Sequence, residues 1–168
     1  MSGSSPNFPG RVERSNECGP FDEGVIAELE QARGIKLPED YLAYLRAHNG
    51  GQPVPGFYWV DRWDDGNPWG SGIETLYGAH RNKKGYSDYS LLRNDDGYSF
   101  SLKPGMLAIG DDGCGGHILM STLPVDFGSI HFCCSWSDHP NGYEDDGYWR
   151  IADSFSDFLN RLEESPSH

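Results

Sequence analysis

At Asn49-Gly50-Gly51 the apolar residues of this chain change their spacing, and that change limits the folds open to it. Before it, Val25, Ile26, Leu29 and Ala32 recur on one helical face, and Tyr41, Leu42, Leu45 and His48 do the same. Asp22 is a good N-cap for the first helix, and Gly34 suits the left-handed position that ends it. Pro38 can hold the first position of the second helix, where its missing N–H leaves no bond unmade. The pair predicts a helical hairpin.

After Gly51 the pattern becomes a series of short runs: 57–60, 73–77, 106–109, 117–120 and 129–134. Runs of this length, rich in β-branched and aromatic residues and bounded by turns, predict a mainly antiparallel sheet. The stretch 79–96 fits neither period and reads as an insertion or a short helix. Near the C-terminus Phe155, Phe158, Leu159 and Leu162 again share a helical face, with Asp153 or Ser154 as cap and Trp149 and Ile151 leading in from an extended segment. Residues 1–20, rich in Ser, Gly, Pro and Asn, read as a loosely ordered arm, and 21–164 as a single α+β domain.

Charge narrows the function. The 168 residues carry 13 basic and 26 acidic side chains, a formal charge of −13. A field of that sign repels phosphates and anionic lipid and draws in basic proteins. No direct nucleic-acid partner and no membrane partner is expected. The start of the chain lacks the basic and apolar regions of a secretory signal, so a cytoplasmic location is expected. Cys18, Cys114, Cys133 and Cys134 lack a disulfide-framework spacing and read as reduced packing residues.

Constellations with catalytic or ligand-binding chemistry are weak. Gly110-Asp111-Asp112-Gly113-Cys114-Gly115-Gly116-His117 lacks the Lys of a phosphate loop, and its two carboxylates would repel phosphate, so it reads as a hairpin turn. Cys114, His117, His131 and Cys133 have a conceivable zinc spacing but no Cys-x-x-Cys, and packing is the preferred reading. Asp61, Asp65, Gly66 and Asn67 do not complete a calcium loop, because Trp63 and Gly72 stand where ligands belong. No nucleophile elbow accompanies His48, His80, His131 and His139. No metal, no cofactor and no catalysis are expected.

Two stretches mix aromatic and acidic residues, Trp59 to Trp69 and Trp136 to Trp149. Trp59, Trp136, Tyr148 and Trp149, on or near strands, read as core. The expected partner-binding set is Asp61, Trp63, Asp64, Asp65 and Trp69, with acidic turns at Asp111, Asp112, Asp138, His139, Glu144, Asp145 and Asp146.

Three blocks carry a family resemblance: Ile26 to Glu30 with Gly34 to Tyr41, Leu45 and Asn49-Gly50-Gly51; Ile109 to Gly116; and Trp149, Ile151, Ala152, Ser154, Phe155, Phe158, Leu159 and Leu162. Together, over about 22 to 162, the chain resembles the SUKH superfamily. The resemblance implies a bent sheet with an N-terminal helical hairpin and a C-terminal helix packed on it. For bacterial members it implies an immunity protein that neutralises a secreted polymorphic toxin, often a nuclease or deaminase, and for eukaryotic relatives a link to cell-wall regulation. The expected function is therefore to occlude the basic active-site surface of a cognate toxin. The alternatives are a regulatory scaffold for an endogenous protein and, third, an unrecognised hydrolase.

Overall fold

The structure, a computed structural model, describes residues 8, 10–60, 69–82, 89–93, 102–134 and 148–167. In chain order its elements are β1 (Arg11–Glu13), α1 (Glu23–Arg33), α2 (Glu39–His48), β2 (Gln52–Val54), β3 (Phe57–Val60), β4 (Trp69–Gly72), β5 (Thr75–Leu76), β6 (Met106–Asp111), β7 (Gly116–Ser121), β8 (Ile130–Cys134), β9 (Tyr148–Ala152) and α3 (Phe155–Arg161). This is the α+β fold expected, with antiparallel strand pairs.

The helix ends follow local chemistry. The Asp22 carboxylate accepts the Gly24 N–H at 2.8 Å, and Gly34 closes α1 at φ 65°, a conformation costly for a residue with a Cβ. Pro38 stands one place earlier than expected, as the N-cap of α2. Val25, Ile26 and Leu29 are buried, whereas Ala32 is exposed. The main helix partner of α2 is α3: Tyr41 and Tyr44 meet the Phe155 ring edge-on at 4.9 and 5.1 Å, and Asp40 accepts the Ser156 N–H at 2.9 Å. Arg46 of α2 also forms an exposed ion pair with Glu23 of α1 at 3.3 Å, and the buried residues of both helices join one core.

Strands β5 to β9 form one sheet in sequence order, each antiparallel to the next. Its centre is dry on both sides, since successive residues of β6 and β7 are buried whichever face they point to. On one face Ile118, Phe132 and Trp149 are cross-strand neighbours. Phe132 there meets Tyr58 at 6.1 Å and Trp69 at 4.9 Å, so the β3–β4 hairpin packs on the sheet through this row. The other face carries a polar row across all five strands: Thr75, Asp111, His117, Cys133 and Tyr148.

Residues 10–20 of the segment expected as a loose arm pack against the rest of the domain. Strand β1 pairs with β2, the Asn16 N–H donates to the His48 carbonyl at 2.7 Å, the Arg14 guanidinium donates to the Glu74 carbonyl at 2.6 Å, and Cys18 is buried. A β2 containing Pro53, and a three-residue β1, carry little strand propensity of their own; pairing makes them strands. Cys114, expected to pack, is exposed. In the ambiguous 79–96 stretch, Gly78 and Ser90 form a parallel bridge and 91–93 make a helical turn.

Three histidines link the fold to pH. His48, His80 and His117 each titrate below the usual 6.5, in every case chiefly because burial disfavours the cation. At His80 the Asn82 N–H donates to Nδ1 at 3.1 Å, an arrangement only the neutral ring accepts. At these three sites the unfolded chain therefore binds more protons than the folded one below pH 6.5, and the stability they contribute above that value is lost as pH falls toward their folded-state values. The urea midpoint is expected to be lower at pH 5.5 than at 7.5. A midpoint that is unchanged or higher on acidification contradicts this account.

Candidate protein-interaction surface

Four consecutive apolar residues form β3, and strand geometry sends them alternately inward and outward. Tyr58 and Val60 are fully buried; Phe57 is half-buried and Trp59 is 38% exposed. On the outward face the two rings stand edge-to-face at 5.1 Å. The Trp59 indole N–H donates to the Glu163 carboxylate, and Glu163 exchanges backbone N–H···O bonds with Phe57 at 2.9 and 3.0 Å. Trp59, expected in the core, is thus a surface aromatic held in place. Trp69, expected as a partner anchor, is half-buried with its ring packed on Phe132.

The acids of the β6–β7 turn are half-buried and bound up in local structure. Asp111 accepts the Tyr77 O–H at 2.9 Å and the Gly113 N–H at 3.0 Å. Asp112 accepts the Cys114 and Gly116 N–H groups, both at 2.8 Å, and the Ser71 O–H at 3.2 Å. Short carboxylate side chains close such turns by taking their backbone donors. Two negative charges are therefore fixed at the tip of this hairpin.

Asp61, Trp63, Asp64 and Asp65 lie outside the described residues, in the β3–β4 connection. Asp138, His139, Glu144, Asp145 and Asp146 also lie outside them, in the β8–β9 connection. The described ends of both connections sit near the 112–115 turn. Cys134 pairs with Gly116, Cys133 with Tyr148, Ser71 reaches Asp112, and Trp69 lies on Phe132, two residues before the end of β8. The β6–β7 turn and the described ends of the other two acidic connections, one on the sheet and one on the hairpin packed over it, thus lie close together.

At the other end of the sheet, the β7–β8 loop exposes Leu123, Val125 and Phe127, with Val125 88% exposed. Beneath this apolar tip Ser121 donates to the Asp126 carboxylate, which lies 3.6 Å from His131 Nε2, and Ser129 Oγ lies 2.8 Å from the same nitrogen. A hydrolytic triad needs the acid and the hydroxyl on opposite ring nitrogens, and an accessible nucleophile. Here both approach Nε2 and Ser129 is fully buried, so the group fixes a loop. The sequence signal for the tip was there to read: apolar residues at 123, 125 and 127 beside Pro124, between two strands.

The zinc candidates do not converge as four. His117 and Cys133 oppose each other, His131 opposes Leu119, and Cys114 stands on the exposed turn. Among the described residues no three His, Cys, Asp or Glu side chains gather closely enough to hold a metal ion. Nor, among them, is any helix long and apolar enough to cross a membrane.

The model of the SMI1/KNR4 family (SUKH-1) matches residues 20–161, most of the chain. The chain belongs to the SMI1/KNR4 family. The matched span starts just before α1 and ends at the last residue of α3, so this SMI1/KNR4 chain adds to it the β1 arm, which lies before the match. No curated protein matches the chain.

Proposed function

We propose that this SMI1/KNR4 protein is a non-enzymatic cytoplasmic immunity protein that binds a cognate bacterial toxin and covers its basic active-site surface. The observation carrying the reading is that the described ends of two acidic connections, β3–β4 and β8–β9, lie close to a third, the β6–β7 turn. The three hold Asp61, Asp64, Asp65, Asp111, Asp112, Asp138, Glu144, Asp145 and Asp146. An enzyme that grips phosphates must present cations around its catalytic groups, and such a cleft is complementary to these acidic connections. Family membership supports the same role through the immunity function of bacterial relatives.

The test is co-expression with the product of the adjacent gene. That product alone is expected to kill cells, and the pair to survive. In binding kinetics, Asp64→Lys with Asp65→Lys is expected to lower the association rate by about an order of magnitude while leaving dissociation nearly unchanged. Salt should slow association in the parent more than in the double mutant, because screening removes attraction beyond ~8 Å at physiological ionic strength. A neighbour harmless on its own would favour a scaffold role. Association that ignores both salt and the charge reversal would remove the acidic connections from the interface.

A further inference from the structure

We infer that the outer face of the β3–β4 hairpin is a receptor for an arginine side chain of the partner protein. The inference rests on the reading above and deepens it, by naming the chemical group that one patch takes.

The cross-strand partners of Phe57 and Trp59 are Gly72 and Gly70, so β4 raises no side chain beside either ring. Phe57 leans over Gly70, where an added Cβ would lie 2.3 Å from its Cζ. Beyond Gly72 the space is open, with no atom within 4 Å of where a side chain would begin. The result is an aromatic surface with open space beside it at Gly72. Covering a glycine by an aromatic ring is a common way to repair a weak strand pair, and Phe57 does that for Gly70. It does not account for Trp59, which stays partly exposed and spends its one donor on a surface carboxylate.

What the patch offers is a partly exposed indole ring and the exposed Glu163 carboxylate side by side, both held. The backbone exchange between Glu163 and Phe57, together with the indole bond, fixes carboxylate and ring relative to each other before any partner arrives. Little side-chain freedom remains to be lost on binding. A guanidinium matches both features, since it is planar, stacks on indole and donates in a fork to a carboxylate. The charge of the whole chain favours the same occupant.

The experiment uses the full chain labelled with nitrogen-15 and follows the Trp59 indole N–H, identified as the resonance lost in Trp59→Phe. Acetyl-tetra-arginine amide is titrated in, with the matching citrulline peptide as the uncharged comparison. The arginine peptide is expected to shift this resonance saturably and the citrulline peptide to leave it in place. Glu163→Gln is expected to weaken the response about fivefold. Gly72→Leu is expected to abolish it by placing a side chain in the open space beside the rings while the melting temperature stays unchanged, since position 72 is exposed and has room. An indole that does not move, that moves equally with citrulline, or that moves unchanged in a folded Gly72→Leu protein overturns the inference. The immunity reading fails separately, if the neighbouring product is harmless while Trp59 still answers to arginine.

Discussion

Phe158→Ala is expected to lower the unfolding free energy by roughly 3–5 kcal/mol, the usual loss when a buried phenylalanine leaves a cavity. Helix α3 is only seven residues long, too short to persist on helical propensity. It stays folded because Ser154 caps it, accepting the Asp157 N–H at 3.0 Å, and because Phe155, Phe158 and Leu159 are buried. Phe158 is fully buried, 6.0 Å from the Tyr58 ring and 6.3 Å from Phe155, so it joins α3 to the β3–β4 hairpin. Rigid strands and the neighbouring rings leave little scope for collapse into the space. With total stability on the order of 5–15 kcal/mol, the mutant should melt some 6–20 °C below the parent, or not fold. Phe158→Leu, which keeps most of the volume, should lose much less. An alanine mutant melting within a degree or two of the parent would mean that this face of α3 does not support the core.

How far the sequence reveals this molecule depends on whether a residue's role is decided locally. Asp22, Gly34 and Ser154 sit at helix ends whose signals lie within three residues, and their roles were readable. Phe57-Tyr58-Trp59-Val60 was readable as a strand but not as a face, because four apolar residues in a row contain no alternation. The phase appears only through β4, where glycines 70 and 72 oppose the outward rings. Strand β4 itself, Trp-Gly-Ser-Gly, has the composition of a loop and becomes a strand by pairing. Trp69 was drawn toward the surface by its polar neighbours 64–67, whereas its ring is fixed by Phe132, more than sixty residues away. Asp111 and Asp112 were readable as an acidic hairpin turn; the backbone and hydroxyl donors that hold them are a property of the folded turn.

Asn49→Ala is expected to be nearly as damaging as the loss of Phe158, again about 3–5 kcal/mol, although no hydrophobic volume is involved. The residue ends α2 in the left-handed conformation, φ 46° and ψ 56°, which asparagine tolerates and alanine enters at a cost of about 1–2 kcal/mol. Its side chain, 2% exposed, does more than stop a helix. Nδ2 donates to the Gly19 carbonyl at 3.0 Å and to the Ala79 carbonyl at 3.3 Å, while Oδ1 accepts the Ala79 N–H at 2.8 Å. One amide thus ties the end of α2 to segments thirty residues away on either side. The chain can approach so closely because glycines follow: a Cβ at Gly50 would lie 2.7 Å from the Leu76 carbonyl oxygen, and one at Gly51 would lie 2.7 Å from that of Glu13. Removing the amide strands buried backbone groups, each worth about 1–3 kcal/mol when left unsatisfied. Asn49→Gly separates the two contributions, since glycine accepts the left-handed backbone but makes none of the side-chain bonds. The glycine mutant is expected to remain at least about 2 kcal/mol less stable than the parent in urea unfolding. If it recovers to within about half a kcal/mol, Asn49 acts through its backbone alone, and the three side-chain bonds contribute nothing measurable to holding α2 against the arm and the sheet.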